Sequence, residues 1–288
     1  MKKESAKRIG GKAKQRAEMK QVEEKKNISE DSDGEWTEEE GHARKKPKLT
    51  GQEKEVHDLE VDPERVERLK QQMEISIKKI ESSDFYKSFL KQLKSPEVLG
   101  HIQIMLGSET QLQMVIYGIG SIESTDEAPR FQLSVAILMK REFEWVGNNI
   151  EVFDPIISAT ESSVITSFGC TVLSVNEEAR REALKPTLFF MPFCVAHLYS
   201  NLLEANWRMD RLSKIALLGN SFQCYREERV GADDQYLIQA IEAAQRITTE
   251  FAIKNVSSDV CYPAFTRLSW HFFRTGVDCE LPSIQAPA

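Results

Sequence analysis

The sequence predicts an α/β protein: a Rossmann-like, doubly wound, mostly parallel sheet with an N-terminal helical extension. Three observations predict it. From Gln113 onward, short apolar runs alternate with longer helical ones, the order expected when strands return through helical crossovers. The strand candidates are continuously apolar rather than alternating, as when both faces of a parallel sheet are covered. Ahead of them, two apolar stripes at helical spacing precede the first strand.

The extension starts near Asp62, a helix cap, followed by Pro63 in the first turn. Val66, Leu69, Met73, Ile77 and Ile80 recur at threes and fours and form one stripe. A second helix carries Phe85, Phe89 and Leu93. Both are expected to pack on the main domain. "QMVIYGI" is then a strand, "APRFQLSVAILMKREFEW" a helix, "NIEVFDP" a strand, "ATESSVITSFG" a helix and "CTVLSVN" a strand. "EEARREAL" reads as a short helix, "TLFFMPF" as a strand, "AHLYSNLLEANW" as a helix and "KIALLGNSF" as a strand. "DDQYLIQAIEAAQRITTEFAI" reads as one long helix, and "FTRLSWHFF" as an edge strand.

Residues 1–58 read differently from the α/β domain of residues 59–288. They are rich in Lys, Glu, Gly and Ser, with Trp36 their only aromatic. Such a stretch buries too little apolar surface to offset the entropy of ordering, which predicts a disordered charged tail. Within it, Arg44, Lys45, Lys46 and Lys48 surround Pro47, a cluster that a nuclear-import receptor reads and that a solvated charge run also resembles. Ser29 and Ser32 lie among acids, as in substrates of acid-directed kinases.

The net charge of −7 argues against direct nucleic-acid binding, since phosphate contacts need a basic surface. No apolar run reaches membrane-spanning length, and the N-terminus has no apolar signal segment. The five cysteines are scattered without a C-x-x-C pair, which suits reduced thiols and predicts no metal module.

In doubly wound sheets, ligands bind beyond the carboxyl ends of the strands. The strand exits here offer Gly118, Gly120, Ser121, Asp154, Asn176, Cys194, Gly219, Asn220 and Ser221 as a candidate ligand-binding rim. Each is also an ordinary turn or packing residue taken alone. Gly118 and Gly120 open a G-x-G, but Glu123 stands where a dinucleotide fingerprint needs its third glycine. The loop then runs on through "STDEAP", so no helix starts under the glycines. Asp154 ends the second strand, the place of a ribose-binding acid in dinucleotide folds. His197, three residues after Cys194, raises a Cys–His pair whose thiol a helix start would acidify; no third partner is visible. His271 reads as aromatic packing. No catalytic residue emerges.

The runs "YGIGSIES", "VFDPIISATE", "VLSVNEEARREAL", "PTLFFMPFC", "LYSNLLEANW", "LLGNSF" and "SWHFFRTGVD" resemble the Sensitivity to Red Light Reduced family, in its plant form, over roughly residues 60–288. The resemblance implies a regulator of a circadian-clock input pathway and of red-light (phytochrome B) signalling, acting on clock-controlled genes in nucleus and cytoplasm. It implies signalling or clock proteins as partners and no assigned catalytic residue; no membrane partner and no cofactor are expected from the residues themselves. The family pattern Met-Pro-His-Cys is replaced here by Met191-Pro192-Phe193-Cys194, which removes an imidazole from the rim. The alternative is a sensor or enzyme that uses a nucleotide, S-adenosylmethionine or haem on the same sheet.

Overall fold

The computed structural model describes residues 60–227, 236–254, 259–275 and 280–284. The tail and its basic cluster, Arg44 to Lys48, lie outside them, as does the proposed boundary at residue 58.

Helix α1 (Pro63–Ser82) begins as expected: the Asp62 carboxylate accepts the N–H groups of Glu64 and Arg65 at 2.9 and 3.1 Å. Its stripe of Leu69, Met73, Ile77 and Ile80 is buried. Ser83 ends α1 and caps α2 (Asp84–Leu93). A third helix that the stripe analysis omitted, α3 (Pro96–Leu106), starts at the Ser95 cap and ends at Gly107, whose φ of +58° is left-handed. Its short buried set, Val98, Ile102 and Met105, falls below the length at which periodicity speaks.

The domain then runs β1 (Leu112–Tyr117), α4 (Ala128–Glu142), β2 (Val146–Phe153), α5 (Ala159–Ser167), β3 (Cys170–Val172) and β4 (Thr187–Met191). It continues with α6 (Ala196–Ala205), α7 (Met209–Leu212), β5 (Ile215–Asn220), α8 (Phe222–Glu227), α9 (Tyr236–Arg246), β6 (Thr248–Ala252) and β7 (Leu268–Phe273). The sheet order is β3-β2-β1-β4-β5-β7-β6. The five strands from β3 to β5 pair in parallel, and β7 runs antiparallel to both β5 and β6. This is the expected Rossmann-like, mostly parallel architecture.

Successive strand residues face opposite layers. Met114, Ile116, Leu188, Phe190, Leu218, Trp270 and Phe272 share one core with the apolar faces of α1 to α5. Val115, Tyr117, Phe189, Met191, Leu217 and Phe273 share the other with Tyr199, Leu202, Phe222 and Ile241. Each fully buried phenylalanine contributes about 1.5–3 kcal/mol relative to exposure. The helical extension is part of the first core. Phe85 stacks on Phe265 at 4.1 Å, and Phe89 lies 6.0 Å from Trp270, so α2 rests on β7.

Four sequence expectations change. "EEARREAL" is a loop: Glu178 and Ala179 have φ of +48° and +59°, which no right-handed helix contains. Arg181 is drawn away to the carboxylates of Glu151 and Glu177. The long helix stops at Arg246, and the end of the stretch is β6; the β-branched Ile247, Thr248 and Thr249 favour the strand once β7 offers an edge. β7 is interior rather than an edge, because β6 covers it. β3 has three residues, so Asn176 stands in a loop rather than at a strand end.

Candidate functional site

The strand order reverses at β1, which has β2 on one side and β4 on the other. At this switch point a cleft of ≈ 420 Å³ opens, lined by Gly118, Gly120, Gln132, Asp154, Pro192 and Phe193 among others. A second cleft, ≈ 490 Å³, lies between the exits of β4 and β5, with Phe193, Cys194, Asn220, Tyr225 and Arg267 in its walls. The structure thus brings Gly118, Gly120 and Asp154 together on one cleft and Cys194 and Asn220 on its neighbour. Phe193 borders both, held at φ +54° and 46% exposed.

The other rim candidates serve the fold locally. Ser121 donates to the buried Glu161 carboxylate at 2.5 Å. Asn176 accepts the Glu178 N–H at 2.9 Å and shapes its own loop. Ser221 accepts the Gln223 N–H at 3.3 Å at the start of α8. Gly219 sits beneath Tyr199.

The glycines divide into two kinds. A methyl group on Gly118 would lie 2.6 Å from Cys194 Sγ, and one on Gly219 would lie 2.2 Å from Tyr199 Oη. Both positions are fixed by close packing within the protein. At Gly120, φ is +77° but the nearest atom to such a methyl is Pro129 Cγ at 3.6 Å. There the backbone conformation, not the space, demands glycine. The Gly120 N–H donates to Asp154 Oδ2 at 2.8 Å, and Ile156 N–H donates to Oδ1 at 3.1 Å. Asp154 therefore ties the exits of β1 and β2.

Glu123, the residue in place of a third glycine, has its own task. Arg65 of α1 grips its carboxylate with two hydrogen bonds, at 2.9 and 2.5 Å. That pairing holds the Glu123 carboxyl below the usual range. The G-x-G loop is thus moored to the helical extension rather than opened to a pyrophosphate.

A hydroxyl network braces the second cleft. Tyr199 Oη donates to Met191 O at 2.5 Å and accepts the Asn220 N–H at 2.7 Å. Asn220 Oδ1 accepts the Phe193 N–H, and its Nδ2 donates to Tyr225 Oη, which donates to Cys194 O at 2.6 Å. Sequence patterns did not reveal Tyr199, Tyr225 or Arg65. Glu161 was also missed, although Ser158-x-x-Glu161 has the capping-box spacing and forms one.

The expected acidified Cys194 thiol is corrected. Cys194 is buried and donates to Tyr117 O at 3.3 Å; burial first, and then the Asp154 charge, push its pKa up to about 12. His197 is exposed, and among the described residues no cluster of metal-binding side chains forms. His271, read as packing, is fully buried 4.3 Å from the Phe222 ring. The same edge of the sheet carries large apolar residues turned outward: Ile156, Val175, Phe193 and Val195.

The SRR1 domain matches residues 81–272, from the end of α1 into the last strand. The chain belongs to the SRR1 domain family. Its SRR1 domain holds both clefts and the braces between them. Over 227 residues the chain is 70% identical to the protein Sensitivity to Red Light Reduced 1 of Arabidopsis thaliana, covering 78% of this chain and 82% of that one. It is 41% identical over 124 residues to an SRR1-like protein of Mus musculus, covering 43% of this chain and about half, 49%, of the mouse protein. Among solved structures, the 23S rRNA methyltransferase ErmE aligns with a TM-score of 0.33 at 9% identity, over 63% of this chain and 69% of that one. That likeness is too slight to bear on function.

Proposed function

We propose that this protein is a regulator of red-light (phytochrome B) signalling and of a circadian-clock input pathway, acting non-enzymatically through protein contacts. The observation that carries the reading is the 70% identity over 227 residues to a relative named for reduced sensitivity to red light. The chemistry of the rim supports the non-enzymatic part. Asp154, Cys194, Tyr199 and Asn220 each hydrogen-bond to the protein's own backbone. The outward Ile156, Val175, Phe193 and Val195 support the protein contacts, since apolar groups gathered on one edge mark docking surfaces. The partners in this reading are signalling or clock proteins, met in both nucleus and cytoplasm, with Arg44, Lys45, Lys46 and Lys48 assisting nuclear entry.

The test is complementation. Seedlings lacking the Arabidopsis relative receive this chain, and elongation under red light and in darkness is measured with the period of a clock-controlled reporter. Restored red-light response and period support the reading. Restored elongation with an uncorrected period removes the clock part, and no restoration by a well-expressed protein removes the whole.

A further inference from the structure

We propose that the cleft between β1 and β4 is a nucleoside site that rejects phosphate: it takes a neutral or cationic ligand of nucleoside size. The place is the switch-point crevice of the sheet, where this architecture binds ligands. Its ≈ 420 Å³ falls within the range of about 300–1,000 Å³ typical of small-molecule pockets. Ile119, Pro129, Pro192, Pro263 and Phe193 give it stiff apolar walls suited to a flat ring.

The polar groups in those walls are acceptors. Gln132 lines the cleft and its Nε2 is committed to Ala264 O at 3.1 Å, so the group it can offer a ligand is its amide oxygen. An amide oxygen accepts from a donor such as an exocyclic amine. Asp154 stands at the end of β2, the position from which a carboxylate binds ribose hydroxyls. Each of its oxygens accepts one backbone N–H and keeps a second lone pair. Asp126 adds a second carboxylate, and its Oδ1 accepts the Ala128 N–H at 2.9 Å.

No lysine, arginine or histidine is among the described residues of this wall. A phosphate would face two carboxylates without a counter-charge. The usual anion cradle is also missing its chemistry, because Glu123 occupies the third glycine position and is spent on Arg65. Hydroxyl and amine donors are therefore favoured, and anions are disfavoured. This inference does not rest on the red-light reading and stands or falls separately from it.

The experiment titrates the full chain by calorimetry with three ligands that differ only at the 5′ position: adenosine, 5′-amino-5′-deoxyadenosine and adenosine 5′-monophosphate. The expected order is amine first, adenosine next, and the monophosphate weaker than the amine by about tenfold or more. Asp154→Asn should weaken the first two by about tenfold. Phe193→Gly removes one wall while relaxing the backbone at φ +54°, so it keeps the fold and should also weaken both. The proposal is overturned if the monophosphate binds as tightly as adenosine. It is equally overturned if neither nucleoside binds at about 1 mM, or if Phe193→Gly binds both as the unaltered protein does.

Discussion

Replacing Gly219 by alanine tests whether the packing beneath Tyr199 fixes the end of β5. The added methyl would lie 2.2 Å from Tyr199 Oη, 3.0 Å from its Cζ and 3.2 Å from Met191 O. Tyr199 is fully buried, so its ring has no solvent to move into. Overpacking of this kind costs about 1–3 kcal/mol. Displacing the hydroxyl also breaks its bonds to Met191 O and the Asn220 N–H, at about 1–3 kcal/mol for a buried group left unpaired. A loss of roughly 2–6 kcal/mol follows, and Tm should fall by about 2–4 °C per kcal/mol for a domain of this size. Tyr199→Phe alone loses the hydrogen bonds without the clash and should cost about 1–3 kcal/mol. In the double variant the atom at 2.2 Å is gone. Chemical denaturation of both single variants and the double should therefore show a coupling of about 1 kcal/mol or more, with the double variant less damaged than the sum. Additive losses would refute the reasoning, because they would mean that the two groups do not meet.

Three further predictions follow from the charges and thiols. Glu123→Gln removes the grip of Arg65; the pair is partly exposed, so solvent screening limits the loss to about 0.5–1 kcal/mol. Because the folded carboxyl titrates below its unfolded value, that stability is present above about pH 4.5 and lost as pH falls through the folded pKa; the variant's Tm should vary less with pH below 5. Burial lowers the His271 pKa, so below about pH 6.5 the unfolded chain takes up a proton that the native state refuses; Tm should fall from pH 7 to 5, and His271→Leu should flatten that slope. Cys170, Cys194 and Cys261 are buried with pKa values pushed up to about 11, 12 and 12, so at pH 8 iodoacetamide should label them only after denaturant is added; rapid native labelling of Cys194 would contradict the site geometry.

Much of the fold was legible because burial on both faces writes itself as apolar runs: β1, β4 and β5 stood out, as did the capped start of α1. The failures share a cause. Thr248 to Ala252 has β-branched residues, but they directly follow a helical run, and the segment becomes β6 because β7 lies beside it, a pairing between distant segments that local pattern cannot encode. "EEARREAL" has helical composition, but tertiary ion pairs to Glu151 and a left-handed turn override it. At the site, the strand ends pointed to Gly118, Gly120, Asp154, Cys194 and Asn220. Their partners were hidden, because Arg65 and Glu123 are 58 positions apart, and Tyr199 and Asn220 meet only through the fold.

The position of β7 has a consequence for how the protein is made. Among the described strands it comes last in chain order, yet it is inserted between β5 and β6 rather than added at the rim. Until Leu268–Phe273 emerges, β5 is an unpaired apolar edge and the aromatic face of α2 has no Trp270 to rest on. Until β7 emerges, the growing chain therefore carries a nearly complete sheet with an open flank, the state most open to wrong pairing with a neighbouring nascent chain. A premature stop ahead of Leu268 removes the wedge that seals the flank, and the shortened product should be handled by the cell as an aggregation-prone fragment.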